Sequence, residues 1–151
     1  MSLRTSGLPL LYFEDVNAGD ALPPVAKLVT HNQLVRYSGA SGDFNPIHTD
    51  PDAAKAAGLG GVIAHGLLSM AFLGQLMTDW AGDPGALKQL HCRFSKMVRP
   101  GDTVTAKGTV AEKKVEQGEH LVFCKIWVEN QRGEVVLSGG LGVVALPARG
   151  A

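Results

Sequence analysis

The sequence predicts an α+β protein, an antiparallel sheet of about five strands curled around one long apolar helix. Three stretches carry that expectation. Residues 62–80 are almost wholly apolar, with Asp79 their one carboxylate, and a helix apolar on every side is buried on every side. Residues 87–146 set apolar and polar positions in alternation between turn-forming tetrads, the pattern of half-buried antiparallel strands. Residues 25–30 add one short strand ahead of the helix. One sheet and one helix can each hide an apolar side only on the other, so the sheet wraps the helix. A single curved sheet keeps open edges, and a two-fold dimer joining two sheets is the expected way to cover them.

The bulk properties agree with one folded unit. A chain of 151 residues supports a single domain, expected over 1–151 with its core over about 12–146. Fourteen Lys and Arg balance fourteen Asp and Glu, and no basic run stands out. Attraction to nucleic acid or an anionic membrane through overall charge is therefore excluded. Cys92 and Cys124 lie in different strand-like runs without metal-ligand spacing, and are expected as reduced thiols of a cytoplasmic protein. Residues 1–7 lack the apolar segment of a secretory signal. The apolar run near 62–77 is broken by His65 and Gln75 and falls short of the ~20 residues a membrane span needs. A soluble, cytoplasmic protein is expected.

The elements follow in order. Residues 13–20 read as a turn leading into a strand, and Pro23-Pro24 place strand 25–30 at a sheet edge or entry point. Thr30 and Gln33 have the spacing of a capping box for a helix reaching about Ala40. In the segment 42–48, Pro46 fixes its own φ and holds Asn45 extended, which makes a stiff loop. Asp50-Pro51 opens a short alanine-rich helix as N-cap and first residue, and Gly58 stops it. The long helix is expected over about 62–80, ending at Gly82-Asp-Pro-Gly85. Four strands then form a meander over 87–146, with turns at 99–102, 116–119 and 130–133.

Polar chemistry concentrates in the segment 37–48 and at the start of the long helix. Asp43 and His48 stand five residues apart in the stiff loop. They fit either a turn cap and a helix start, or a general acid/base pair, since histidine exchanges protons near neutral pH and a carboxylate can orient it. Asn45 fits a loop hydrogen bond. Gly66 follows His65 in the first turns of the helix, where free backbone N–H groups and the helix dipole suit a developing oxyanion. Close helix–sheet packing explains that glycine equally well. His65 fits a structural hydrogen bond. Asp43, His48 and His65 also have the composition of a two-histidine, one-carboxylate metal triad, although their spacing does not specify one, and no metal is expected. The Asp43-x-Asn45 start is not a calcium loop, because Pro46 intervenes and the sixth position is not glycine. Arg93, Lys96 and Arg99 fit a solvated strand face or a phosphate contact.

The string Tyr37-Ser-Gly-Ala-Ser-Gly-Asp43-Phe-Asn45-Pro46-Ile-His48, followed by Ala64-His65-Gly66-Leu67, resembles the signature of the MaoC-like, (R)-specific enoyl-CoA hydratase family. Arg99-Pro-Gly-Asp102 is also similar to that family, and the run from Trp80 to Gly85 is similar to the dehydratase subunits of bacterial fatty-acid elongation. The resemblance covers about 12–146. It implies a hot-dog fold, usually a homodimer and in some cases a heterodimer with a second hot-dog subunit. It implies an acyl thioester of coenzyme A or acyl carrier protein as substrate, without a further cofactor. It implies that Asp43 and His48 bind and activate water while the Gly66 N–H holds the thioester carbonyl, with Asn45 and His65 in support. Water addition to a trans-2-enoyl thioester would then give the (R)-3-hydroxyacyl thioester, and dehydration the reverse. A partner-dependent acyl-binding subunit and a hot-dog thioesterase are the alternatives. One departure is Gly74, where some members of the family carry a serine supporting the aspartate. The glycine is expected to widen the acyl tunnel.

Overall fold

The computed structural model describes residues 9–150. The N-terminal stretch read for a signal, residues 1–7, lies outside them, as do the outermost ends of the expected domain. Five strands, β1 (Val25–Leu28), β2 (Leu87–Phe94), β3 (Thr103–Glu116), β4 (Glu119–Asn130) and β5 (Val135–Ala145), build one sheet in the order β1-β3-β4-β5-β2. Every pairing is antiparallel. The helices are α1 (His31–Ser41), α2 (Pro51–Ala56) and α3 (Gly66–Ala81). The sheet curves around α3, the hot-dog arrangement.

The alternation read from the sequence is the alternation of burial. Val104, Ala106 and Val110 of β3 and Val122, Cys124, Ile126 and Val128 of β4 all face inward. Leu73, Leu76 and Met77 of α3 are fully enclosed against them, each such side chain contributing about 1.5–3 kcal/mol by leaving water. The helix approaches β5 closely at Gly142, where a Cβ would stand 2.7 Å from Met77 Sδ, so glycine sets the helix–sheet spacing. Cys92 and Cys124 are free thiols, and burial pushes that of Cys124 up to about 12.

Four expectations need correction. The meander has three strands, β3-β4-β5, and β2 pairs with β5 at the far edge. The cause is the connection after β2: the strand ends at Phe94, and residues 95–102 run an eight-residue path rather than a tight hairpin turn. Second, α3 begins at Gly66, four residues later than the apolar run, because the N–H groups of Ile63 and Ala64 are taken by Ile47 O (3.2 Å) and Val98 O (2.7 Å). Third, α3 is not buried on every side, since Leu67, Ala71 and Asp79 are exposed. Fourth, the capping box of α1 is half formed. Gln33 N–H donates to Thr30 Oγ1 (3.1 Å), but Gln33 Oε1 is buried without a hydrogen-bond partner among the described residues. The cap of α2 is as expected, with Asp50 Oδ1 accepting from Asp52 N–H (2.9 Å) and Ala53 N–H (3.3 Å).

Candidate active site

Two segments meet at the start of α3. One descends from α1 through the loop to a 3₁₀ turn at Pro46–His48. The other is the extended path 61–65 into α3. In the loop, Asp43 Oδ1 accepts from Asn45 N–H (3.1 Å) and Asn45 Oδ1 accepts from Ile47 N–H (3.2 Å). These two turns within the loop leave Asp43 Oδ2 free to face the histidine. Asn45 thus makes the loop hydrogen bond expected of it.

His48 is buried, with its Nδ1 2.7 Å from Ile63 O. A carbonyl oxygen only accepts, so Nδ1 carries the proton and donates. When the ring is neutral, Nε2 holds the lone pair, and Nε2 lies 3.8 Å from Asp43 Oδ2. That separation is too long for a direct hydrogen bond and short enough for one water to reach both atoms. The peptide that carries this carbonyl is itself held from its other side, its Ala64 N–H donating to Val98 O, and the Ile63 N–H donates to Ile47 O. Half-buried Arg99 closes the path from outside, donating from Nη2 to Leu59 O (2.6 Å) and from Nη1 to Gly61 O (3.1 Å). Arg99 therefore latches the loop and is neither on a solvated strand face nor open to a phosphate. Lys96 Nζ is paired with Glu134 Oε1 at 2.8 Å, and Arg93 is exposed.

His65, 2% exposed, stacks on His48 with ring centroids 3.8 Å apart at 24°, and Tyr37 meets its other side edge-on at 4.9 Å. Its Nε2 lies 3.2 Å from both Asp43 O and Ser38 Oγ. It donates to the carbonyl, so Nδ1 is unprotonated, and that atom is buried without a partner among the described residues. Burial lowers the pKa of His65 from the ordinary 6.5. The nearby His48 adds to the lowering, and the hydrogen bond to Asp43 opposes it. One ligand atom from each of Asp43, His48 and His65 lies within 4.8 Å of the others, the cluster of the metal alternative. His65 Nε2 donates to a carbonyl, an arrangement common to hydrogen-bonded and metal-bound histidines.

Gly66 is the first residue of α3, with His65 as its N-cap. Among the described residues nothing accepts from its N–H. It opens on a cavity of about 270 Å³ with largely apolar walls, including Ile63, Phe94, Val98 and Leu137. Asp43 and His48 are not among those walls. They adjoin the cavity through Ile63, whose carbonyl His48 holds. A Cβ on Gly66 would stand 3.0 Å from the Phe94 ring, so close packing and an exposed N–H occur at the same glycine. Gly74 lies two turns further along α3, where a Cβ would sit 3.7 Å from Leu90 of β2. Packing does not require glycine there. Sequence reasoning missed Ile63, Ser38, Ser69 and Phe94. Only the Ser38 hydroxyl, one residue beyond Tyr37, carried any signal.

A sheet-wrapped helix with a carboxylate and an imidazole facing each other at its N-terminal end defines a hot-dog protein with a polar site beside an apolar cavity. The profile of the MaoC like domain matches residues 18–129, and the chain belongs to the MaoC-like domain family. It is 34% identical to the (R)-specific enoyl-CoA hydratase of Rhodospirillum rubrum over 152 residues, covering 98% of this chain and 100% of that protein. It is 30% identical over 143 residues to the 3-hydroxybutyryl-CoA dehydratase of Methylorubrum extorquens, covering 94% and 88%. Among solved structures, the unliganded R-hydratase PhaJ1 of Pseudomonas aeruginosa superposes with a TM-score of 0.80 at 26% identity, over 91% of this chain and 86% of that one.

Proposed function

We propose that the protein adds water to trans-2-enoyl thioesters of coenzyme A to give (R)-3-hydroxyacyl thioesters, and runs the reverse dehydration, with Asp43 and His48 as its acid/base pair. The observation that carries this reading is the His48 ring, locked by Ile63 O so that Nε2 faces Asp43 Oδ2 at 3.8 Å. The names of the relatives support the same reaction.

The steps follow from the geometry. A water held between His48 Nε2 and Asp43 Oδ2 gives a proton to Nε2 as its oxygen bonds to C3 of the enoyl group. The C2=C3 electrons move toward the carbonyl, whose oxygen gains charge facing the Gly66 N–H and the positive end of α3. The new imidazolium then returns a proton to C2, which restores His48 and completes the addition. No electrons leave the substrate, so the reaction needs no redox cofactor. Asn45 holds the Asp43 loop, and His65 holds the Asp43 carbonyl and the His48 ring. The working unit in this proposal is a dimer, and the apolar cavity beside Gly66 receives the acyl part of the thioester.

The test is hydration of crotonyl-CoA and longer enoyl-CoA substrates by the purified protein. Asp43→Asn and His48→Ala should each lower kcat by about 10²–10⁴ with circular dichroism unchanged. Wild-type rates in both folded variants would overturn the assignment.

A further inference from the structure

We propose that the Ser69 hydroxyl is a second donor to the thioester carbonyl, acting with the Gly66 N–H. The proposal deepens the hydratase reading and rests on it.

Ser69 lies three residues after Gly66 in α3, so the two share a helix face. Helical side chains lean toward the N-terminus, which carries Ser69 Oγ over the turn that bears the Gly66 N–H. Both residues line the cavity. Ser69 is 2% exposed, and among the described residues its hydroxyl has no hydrogen-bond partner. A serine inside a helix commonly bonds back to the carbonyl four residues earlier. Here that carbonyl, His65 O, accepts from Leu68 N–H at 3.1 Å and more weakly from Ser69 N–H at 3.4 Å, and not from the hydroxyl. The hydroxyl is not sealed in the core; it opens on the cavity, where a water or a substrate oxygen can accept from it. With the carbonyl placed at the Gly66 N–H, its oxygen is the acceptor nearest this hydroxyl, and it has two lone pairs, one for Gly66 N–H and one for Ser69 O–H. Both bonds strengthen as charge builds on that oxygen, so the hydroxyl acts on the rate more than on substrate binding.

The experiment pairs kinetics with a spectroscopic probe. 2,4-Hexadienoyl-CoA absorbs further to the red when its carbonyl is polarised, and Asp43→Asn holds it without turnover. Ser69→Ala should lower kcat by up to about 10²-fold with little change in KM, and Ser69→Thr should recover most of the rate. Asp43→Asn/Ser69→Ala should lose at least half of the red shift seen with Asp43→Asn alone. A Ser69→Ala enzyme with kcat within twofold of wild type, or a double variant with the full red shift, overturns the role of Ser69 while leaving the hydratase reading in place. A wild-type protein without hydration, whose Asp43→Asn form binds the dienoyl thioester without a shift, overturns both.

Discussion

His48 and His65 are the same residue type in stacked positions, and their hydrogen-bond partners give them opposite characters. His48 turns a protonated nitrogen to the main chain and a lone pair toward Asp43 Oδ2. His65 spends its proton on the Asp43 carbonyl and is buried in neutral form. That burial has a measurable sign. In the unfolded chain His65 takes up a proton near pH 6.5, whereas in the folded protein it does so only at lower pH. Between those two values the unfolded state binds the extra proton, so stability is lost as pH falls below about 6.5 and levels off beneath the folded value. Urea midpoints measured from pH 7.5 to pH 5 should therefore fall less steeply for His65→Gln than for wild type, because glutamine keeps a donor for Asp43 O without titrating. Equal slopes would remove His65 as the cause. At this scale the sequence was partly legible. Asp43 and His48 stood out because few scaffolds place a carboxylate and an imidazole on a proline-stiffened loop. The Ile63 carbonyl left no trace, since every residue carries one.

Among the elements, what the sequence hid is the path 57–65 between α2 and α3. Its last residues, 62–65, read as the front of an apolar helix, because periodicity reports burial and not the hydrogen bonds that Ile47 O and Val98 O draw from it. Arg99 was misread for a related reason: its two acceptors are backbone carbonyls some forty residues away. These bonds involve a charged donor, of the kind worth about 1.5–3 kcal/mol each, and they hold the same path that carries Ile63 to His48. Arg99→Ala should lower both the melting temperature and kcat, and Arg99→Lys, a point donor without the fork, should restore only part of either. A variant that melts earlier while keeping full kcat would separate the latch from the site. The three-strand meander was legible because alternating residues faced a core, whereas β2 was misplaced because alternation does not say which neighbour a strand takes.

At the scale of the molecule the two sheet edges are unlike. The β1 edge is four residues long and follows Pro23-Pro24, a combination that discourages strand addition. The β2 edge is eight residues long, with half-exposed Phe94 at its end and half-exposed Met97 just beyond. An edge of that length, with those two apolar side chains at its end, is where the proposed second copy would continue the sheet. Sedimentation equilibrium at micromolar concentration should return twice the 15.9 kDa of one chain, and a 15.9 kDa species throughout would count against the dimer. The wrapping of sheet around helix was readable from the apolar run and the alternating strands, while the choice of edge depended on a strand order the sequence did not reveal.

The bond between His48 and the Ile63 carbonyl has a consequence for how this site tolerates change. The tautomer that leaves Nε2 basic is dictated by main chain, so any non-proline side chain at position 63 that keeps the path extended preserves it. Mutational scanning of residue 63 should then track packing and the shape of the cavity wall, not the imidazole tautomer. Replacing that single peptide oxygen with a weaker acceptor, while sparing every side chain, would instead redistribute the imidazole proton between its two nitrogens.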